Sequence, residues 1–453
     1  MSGDLTGITA TLRRLAHRAS LPSGTVPVAV GYAVSGLTAY AFLAITSRAL
    51  GPVRYAPVSV LWTLVFVAVP GLFLPLEQEV TRAISSRRVL GIGARSVVAR
   101  AGAAGVAVAL VVAVAALAAS GPIVSRLFDG SGLLLGGFVV AVALYVAYYL
   151  ARGVLAGSGE FGVYGVLLSA EGLARLAVVA GLAVVGVKAA GAYGLAVGLP
   201  VIAGVVAGMG LHRRSLGGGP VAPWGEIFHA VGMLVAGALL GQSLINAGPI
   251  VVKLLSGPSE QAAAGTFLNG LVMARIPLYF FQAVQASLLP SLSANVAEGR
   301  LDEFRRRLLR LMSAVAAVAA IWSVASAVLG PAVVSRFFGA AYRLGALDMG
   351  LLAAGSGLYM VALGLVQGAI ALGGHRLVPV VWLVGMVGFL STVAGLGAVS
   401  GLGAALRVEL GLVVGAGLAL VAVALLVETR LRRLGEARRR SGRADEVVLD
   451  AGR

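Results

Sequence analysis

The chain has 453 residues, 59% hydrophobic and 12% charged, with a mean hydropathy of +0.97 and a net charge of +17. A soluble domain carries about twice that charged fraction, so the composition excludes one and indicates a polytopic membrane protein. Cysteine is absent, which excludes disulfides, thiolate metal sites and a cysteine nucleophile.

Residues 1–26 form a basic segment in which Leu5, Ile8, Leu12 and Leu15 share a helical face beside Arg13, Arg14 and Arg18. That pattern fits a short amphipathic helix on the cytoplasmic membrane surface, or a disordered basic tail. The apolar run that follows is too long for a cleavable signal peptide. Twelve spans are expected, with cores at 27–48, 57–76, 97–119, 132–152, 162–187, 190–211, 228–252, 263–290, 308–329, 347–372, 377–399 and 406–427. The 64 glycines, with abundant Ala and Val, suit close helix packing in lipid. Two segments, 75–82 after the second span and 289–293 after the eighth, read as corners from a span into a surface helix.

Lys and Arg set the orientation. One side of this topology carries about 24 cations and the other about 8, which places both termini in the cytoplasm. This pattern between apolar spans addresses anionic lipid, not nucleic acid. Lys188 and Lys253 are the only lysines; with the Ala, Gly and Val content, that Arg bias suggests a high-GC bacterial genome and hence a bacterial plasma membrane.

An internal repeat links the two halves. Ser47-Arg48-Ala49-Leu50-Gly51-Pro52 matches Lys253-Leu254-Leu255-Ser256-Gly257-Pro258, and Gly121-Pro122 through Phe128 matches Gly330-Pro331 through Phe338. Leu150-Ala151-Arg152-Gly153 matches Leu365-Val366-Gln367-Gly368, and the offsets are 206, about 209 and 215. The expected architecture is therefore all-α, with six-helix bundles at 27–211 and 228–427, a cytoplasmic linker at 212–227 and a basic tail at 428–453. Six spans per half insert both halves the same way up, so their pseudo-twofold axis runs along the membrane normal with a central site between them.

The chemistry lies inside the spans. No phosphate-binding G-x-x-x-x-G-K-[ST] loop occurs, the four histidines form no ligand cluster, and the loops are short; no enzyme activity, metal or cofactor is expected. Arg275 sits near the middle of the eighth span, followed by Pro277, with Gln282 and Gln285 within about a quarter turn of it on one helical wheel. A cation there costs at least about 2.5–3.5 kcal/mol if it faces lipid, so it faces protein or a wet cavity. In the seventh span Gln242, Asn246 and Lys253 share a face, and Pro249 leaves the Ile245 carbonyl without its helical donor. Tyr40, Ser47 and Arg48 form a thinner counterpart in the first span, and the repeat makes Arg48 and Lys253 equivalent helix-end cations that line a cavity or snorkel. Glu171 and Arg175 stand four apart in the fifth span, either as an ion pair that offsets its own burial or as substrate contacts.

Several of these stretches together resemble a known family. Ser47-Arg48-x-Leu50-Gly51-Pro52-x-x-Tyr55, Arg152-Gly153, Ala274-Arg275-Ile276-Pro277 and Leu288-Leu289-Pro290-Ser291-Leu292-Ser293 are similar, in order and spacing, to the polysaccharide-exporter and lipid-linked oligosaccharide flippase branch of the multidrug/oligosaccharidyl-lipid/polysaccharide exporter superfamily. The resemblance spans essentially all twelve helices. It implies a MATE-like fold, two six-helix bundles in a V around a cationic cavity. It also implies alternating access that moves an undecaprenyl-pyrophosphate-linked sugar from inner to outer leaflet, beside polymerase or glycosyltransferase partners. The multidrug branch uses a carboxylate in its first span, which is absent here, and the peptidoglycan-precursor flippases have two further spans. The reading is a lipid-linked saccharide flippase in contact with membrane lipids. The alternative is a cation-coupled small-molecule or multidrug antiporter of the same fold; a third reading is a membrane assembly protein without transport.

Overall fold

The computed structural model describes residues 25–212, 216–220, 224–399 and 401–451, and omits some side chains within 224–234, 282–294 and 437–451. The expected N-terminal surface helix lies outside the described residues. Every described element is helical: α1 Thr25–Val89, α2 Arg95–Ala118, α3 Ser120–Arg126, α4 Gly132–Ser158, α5 Phe161–Val184, α6 Ala190–Gly198, α7 Val201–Leu211, α8 Trp224–Asn246, α9 Gly248–Leu255, α10 Ala263–Ala274, α11 Ile276–Ala297, α12 Leu301–Phe338, α13 Ala346–Ala371, α14 Val378–Val399 and α15 Ala404–Ala451. Among the described residues nine helices are long and apolar enough to cross a membrane, and α8 with α9, bent by 57°, makes a tenth.

The longest helix conceals a hairpin. Gly51 adopts φ 72° and ψ 168°, a conformation that a side chain would strain, and Pro52 follows it. The Phe42 and Trp62 rings stack 5.0 Å apart, although twenty residues of straight helix would separate them by about 30 Å. The chain therefore turns back at Gly51 and α1 supplies two spans. With α10 and α11 filling the length of the eighth, the described helices are consistent with twelve crossings.

The contacts divide into two compact units. One holds the described residues up to Leu239 with Glu260–Gly265; the other holds Leu240–Ser259 and Thr266 onward. In the first, the two limbs of α1 pack on α4 and α5, with α6 and α7 behind. Residues 216–220 of the linker bind the α1–α2 loop: Ala94 N–H donates to Leu216 O at 2.6 Å, and Arg87 and Ser96 both donate to Pro220 O. In the second unit α13 packs on α12 and α15, and α14 on α15.

Four expectations are corrected. Residues 75–82 form no corner, because α1 continues through Pro75 to Val89. Nor do residues 289–293, which lie within α11. Each proline there removes one backbone donor, but neither ends its helix. The seventh and eighth spans are not single helices, and their breaks build the site described next.

Candidate functional site

Within the second unit the seventh span bends after Asn246, where Ala247 separates α8 from α9. Pro249 at the start of α9 cannot donate to the Ile245 carbonyl, so the helix cannot continue through. The eighth span breaks at Arg275. Pro277 supplies no N–H, the Leu278 N–H donates to Arg275 O at 2.9 Å in place of the Ala274 carbonyl, and the Trp322 indole N–H takes that carbonyl at 3.0 Å. A side chain thus satisfies the backbone acceptor freed inside the membrane, as an apolar solvent requires.

The two breaks meet. Arg275 Nη1 donates to Asn246 Oδ1 at 2.7 Å, and Asn246 Nδ2 donates to both the backbone carbonyl and Oε1 of Gln242, each at 2.9 Å. Gly248 allows this approach: a side chain there would enter the Phe267 ring of α10. Arg275 is 7% exposed, and Tyr279 and Tyr359 lie within reach of its charge. The Tyr359 ring packs on Trp382 at 5.0 Å, with its hydroxyl directed toward Gly241. A cation at the junction of two broken helices can hold an anion or a strongly polar group, the arrangement by which discontinuous membrane helices form substrate sites.

The structure thus joins Arg275, Asn246 and Gln242. Lys253 stands beyond the 57° bend, so the expected shared face with Gln242 and Asn246 does not continue to it. Gln285 lies on α11, past the break, so a single helical wheel with Arg275 does not apply. The side chain of Gln282 is outside the described residues. Tyr359 and Trp322 escaped the sequence reading; a tyrosine and a tryptophan within apolar spans carry no charge to single them out.

The first unit carries two further polar clusters. Glu171 and Arg175, 2% and 3% exposed, form an ion pair within α5, and the Arg175 guanidinium lies 5.5 Å from the Trp62 ring. Gly172 brings α5 against Ser35 and Thr38 of α1, and Gly204 brings α7 against Glu171, which closes the pair off from water. The second cluster was visible in sequence only as scattered residues. Arg152 on α4 pairs with Glu77 on α1 at 3.0 Å and donates to Tyr164 at 3.0 Å and Tyr32 at 2.8 Å, while Tyr164 donates to Glu77 at 2.9 Å. Its guanidinium also lies 4.6 Å from the Tyr149 ring centre. A side chain at Gly153 would strike Val80, so glycine there lets α4 come close enough for Arg152 to reach Glu77. Tyr40 is half-buried and Arg48 exposed.

A scan against protein-family profiles and a search of curated proteins match nothing to this chain. Solved structures do match. An inward-facing conformation of a multidrug resistance MATE family transporter of the MOP superfamily aligns over 90% of this chain and 99% of its own, with a TM-score of 0.68 and 15% identity. An outward-facing conformation of such a transporter aligns over 91% and 95%, with a TM-score of 0.59 and 17% identity. A MOP superfamily transporter from Pyrococcus furiosus, described as having a binding pocket of reverse polarity that suggests a different function, aligns over 91% and 95%, with a TM-score of 0.62 and 16% identity. The fold is MATE-like. At this identity the likeness speaks for architecture alone.

Proposed function

We propose that the protein is a membrane transporter that moves a lipid-linked saccharide of the undecaprenyl-pyrophosphate type from the inner to the outer leaflet by alternating access. The observation that carries this reading is Arg275, held by Asn246 where two spans break. A planar guanidinium matches pyrophosphate oxygens, and a site of that polarity suits an anionic headgroup better than a cationic drug. The architecture supports the transport part of the reading, since MATE-like proteins are solved in both inward- and outward-facing conformations. A saccharide headgroup cannot cross a roughly 30 Å apolar core unaided. The inside-negative potential adds about 2.3 kcal/mol per charge per 100 mV for an outward-moving anion. The polymerase or glycosyltransferases acting on the same lipid would be its partners. The alternative, a multidrug antiporter, draws on the multidrug transporters that share the fold.

Deletion of the gene tests the substrate. Under this reading a lipid-linked glycan accumulates on the inner leaflet and the matching surface glycan is lost, while sensitivity to cationic drugs is unchanged. Increased drug sensitivity with normal surface glycan would favour the antiporter.

The proposed orientation has its own test, made clean by the absence of cysteine. Ser125→Cys and Ser335→Cys react with an impermeant thiol reagent outside intact cells, whereas Ser85→Cys and Ser293→Cys react only after permeabilisation. The inverse pattern overturns the orientation, and a mixed pattern overturns the span count.

A further inference from the structure

The Arg152 guanidinium meets more than its ion pair with Glu77. Its central carbon lies 4.6 Å from the ring centre of Tyr149, 5.5 Å from Tyr164, 5.6 Å from Tyr148 and 5.9 Å from Tyr32. All four distances fall within the roughly 6 Å at which an aromatic ring attracts a cation. The rings come from three helices: Tyr32 from the first limb of α1, Tyr148 and Tyr149 from α4, and Tyr164 from α5. The carboxylate of Glu77 comes from the second limb of α1. Aromatic rings around one cation, with a carboxylate in contact, are the chemistry by which proteins bind organic ammonium and guanidinium ligands.

An ion pair by itself needs none of these walls. Arg175 takes its carboxylate from its own helix, and its guanidinium lies over the ring of Trp62. The walls around Arg152 also brace one another. Tyr148 and Tyr149 meet edge to face with ring centres 6.0 Å apart, and Phe73 backs Tyr149 at 6.3 Å. Tyr32 and Tyr164 lie 6.4 Å apart with their hydroxyls at 3.2 Å, and Tyr164 holds Glu77 directly. None of these contacts runs through the guanidinium, so the cage does not depend on it. Tyr148, Tyr149 and Tyr164 are buried, whereas Tyr32 is 45% exposed and forms the outermost wall.

We propose that Arg152 is a tethered cation that seals an organic-cation cage in the first unit, and is thereby the residue that denies this cage to free organic cations. The tether makes the guanidinium an intramolecular ligand, which a free cation meets at a disadvantage in effective concentration. A free ammonium or guanidinium ligand would also have to break the ion pair with Glu77 and leave the displaced arginine without its partner. The seal turns a receptor for cations into a closed wall, in keeping with a substrate whose headgroup is anionic. That link to specificity rests on the function proposed above; the sealed cage does not.

Thermal unfolding of the full-length protein in lipid nanodiscs, with methylguanidinium chloride set against equal sodium chloride, tests the seal without any saccharide. Arg152→Ala should unfold at a lower temperature than the wild type, and methylguanidinium should raise its midpoint by several degrees in a saturable manner. Neutral methylurea should not, and the wild-type midpoint should respond to neither. Arg306→Ala, at an exposed position of α12, should behave as the wild type. An Arg152→Ala midpoint that methylguanidinium leaves unmoved, or a wild-type midpoint that it raises as much, overturns the seal. If Arg152→Ala fails to accumulate, Arg152→Ala combined with Glu77→Gln removes the stranded carboxylate and keeps the rings. Its midpoint should still rise, at about tenfold or more higher ligand concentration, and an unmoved midpoint overturns the cage. Proteoliposomes carrying the lipid-linked saccharide keep the two readings apart. Wild-type flipping indifferent to methylguanidinium supports the link to specificity, and wild-type flipping that it inhibits overturns the seal. No flipping by the wild type while the Arg152→Ala midpoint responds overturns the proposed function and leaves the seal standing.

Discussion

Arg275→Ala abolishes export while the protein persists in the membrane at near-normal abundance. The variant loses the hydrogen bond from Arg275 Nη1 to Asn246 Oδ1, but Asn246 keeps both of its contacts to Gln242. An acceptor left unsatisfied there costs about 1–3 kcal/mol, short of what unfolds a typical domain. The backbone break is retained as well, because Pro277 and the Trp322 bond to Ala274 O do not depend on the guanidinium. Arg275→Lys keeps the charge and loses the fork, so partial export is expected. Asn246→Ala, which frees the guanidinium from its holder, should lower export less than Arg275→Ala does. Complementation of the missing surface glycan, with membrane protein level followed in parallel, is the measurement. Normal export by Arg275→Ala at normal level would remove the residue from the site. Its disappearance from the membrane would make it a packing partner.

The second large effect falls on folding. Glu171→Ala or Arg175→Ala leaves one charge uncompensated at a position almost closed to water, and removal of one partner from such a pair costs about 3–5 kcal/mol. Either single variant should therefore be strongly depleted from the membrane. Glu171→Gln combined with Arg175→Met removes both charges while conserving much of the volume, and should restore abundance with at most partial recovery of export. The Met side chain can still lie against Trp62, where the guanidinium now rests, but it carries no charge to that ring. Full recovery of both level and export would make the pair purely structural. Unchanged abundance in both single variants would mean that water reaches it.

The broad architecture was legible because a lipid solvent imposes simple rules. Each crossing needs about twenty apolar residues with every backbone group satisfied, so hydropathy alone predicted the spans that became α2, α4, α5, α13 and α14. The turn at Gly51 was legible too, as the Gly-Pro pair at the end of the first span. Corners at 75–82 and 289–293 were wrong because both segments stay helical through Pro75 and Pro290: a proline deep in a long helix can be carried by its neighbours.

The polar residues divide along the same line. Arg275, Asn246 and Gln242 stood out singly, because a charge or amide in an apolar span is expensive and needs a partner. Glu171 and Arg175 even declared their pairing, since four residues along a helix is a local distance. The sequence by itself therefore determined the membrane class, the helical fold and the residues that must be shielded from lipid. Which partners shield them was decided by tertiary structure. Arg275 reaches across 29 positions to Asn246, and Arg152 across 75 to Glu77. Hydropathy is a property of each segment and its surrounding solvent, but a hydrogen bond between helices depends on where glycines such as Gly153 and Gly248 let two backbones approach, and that only packing sets.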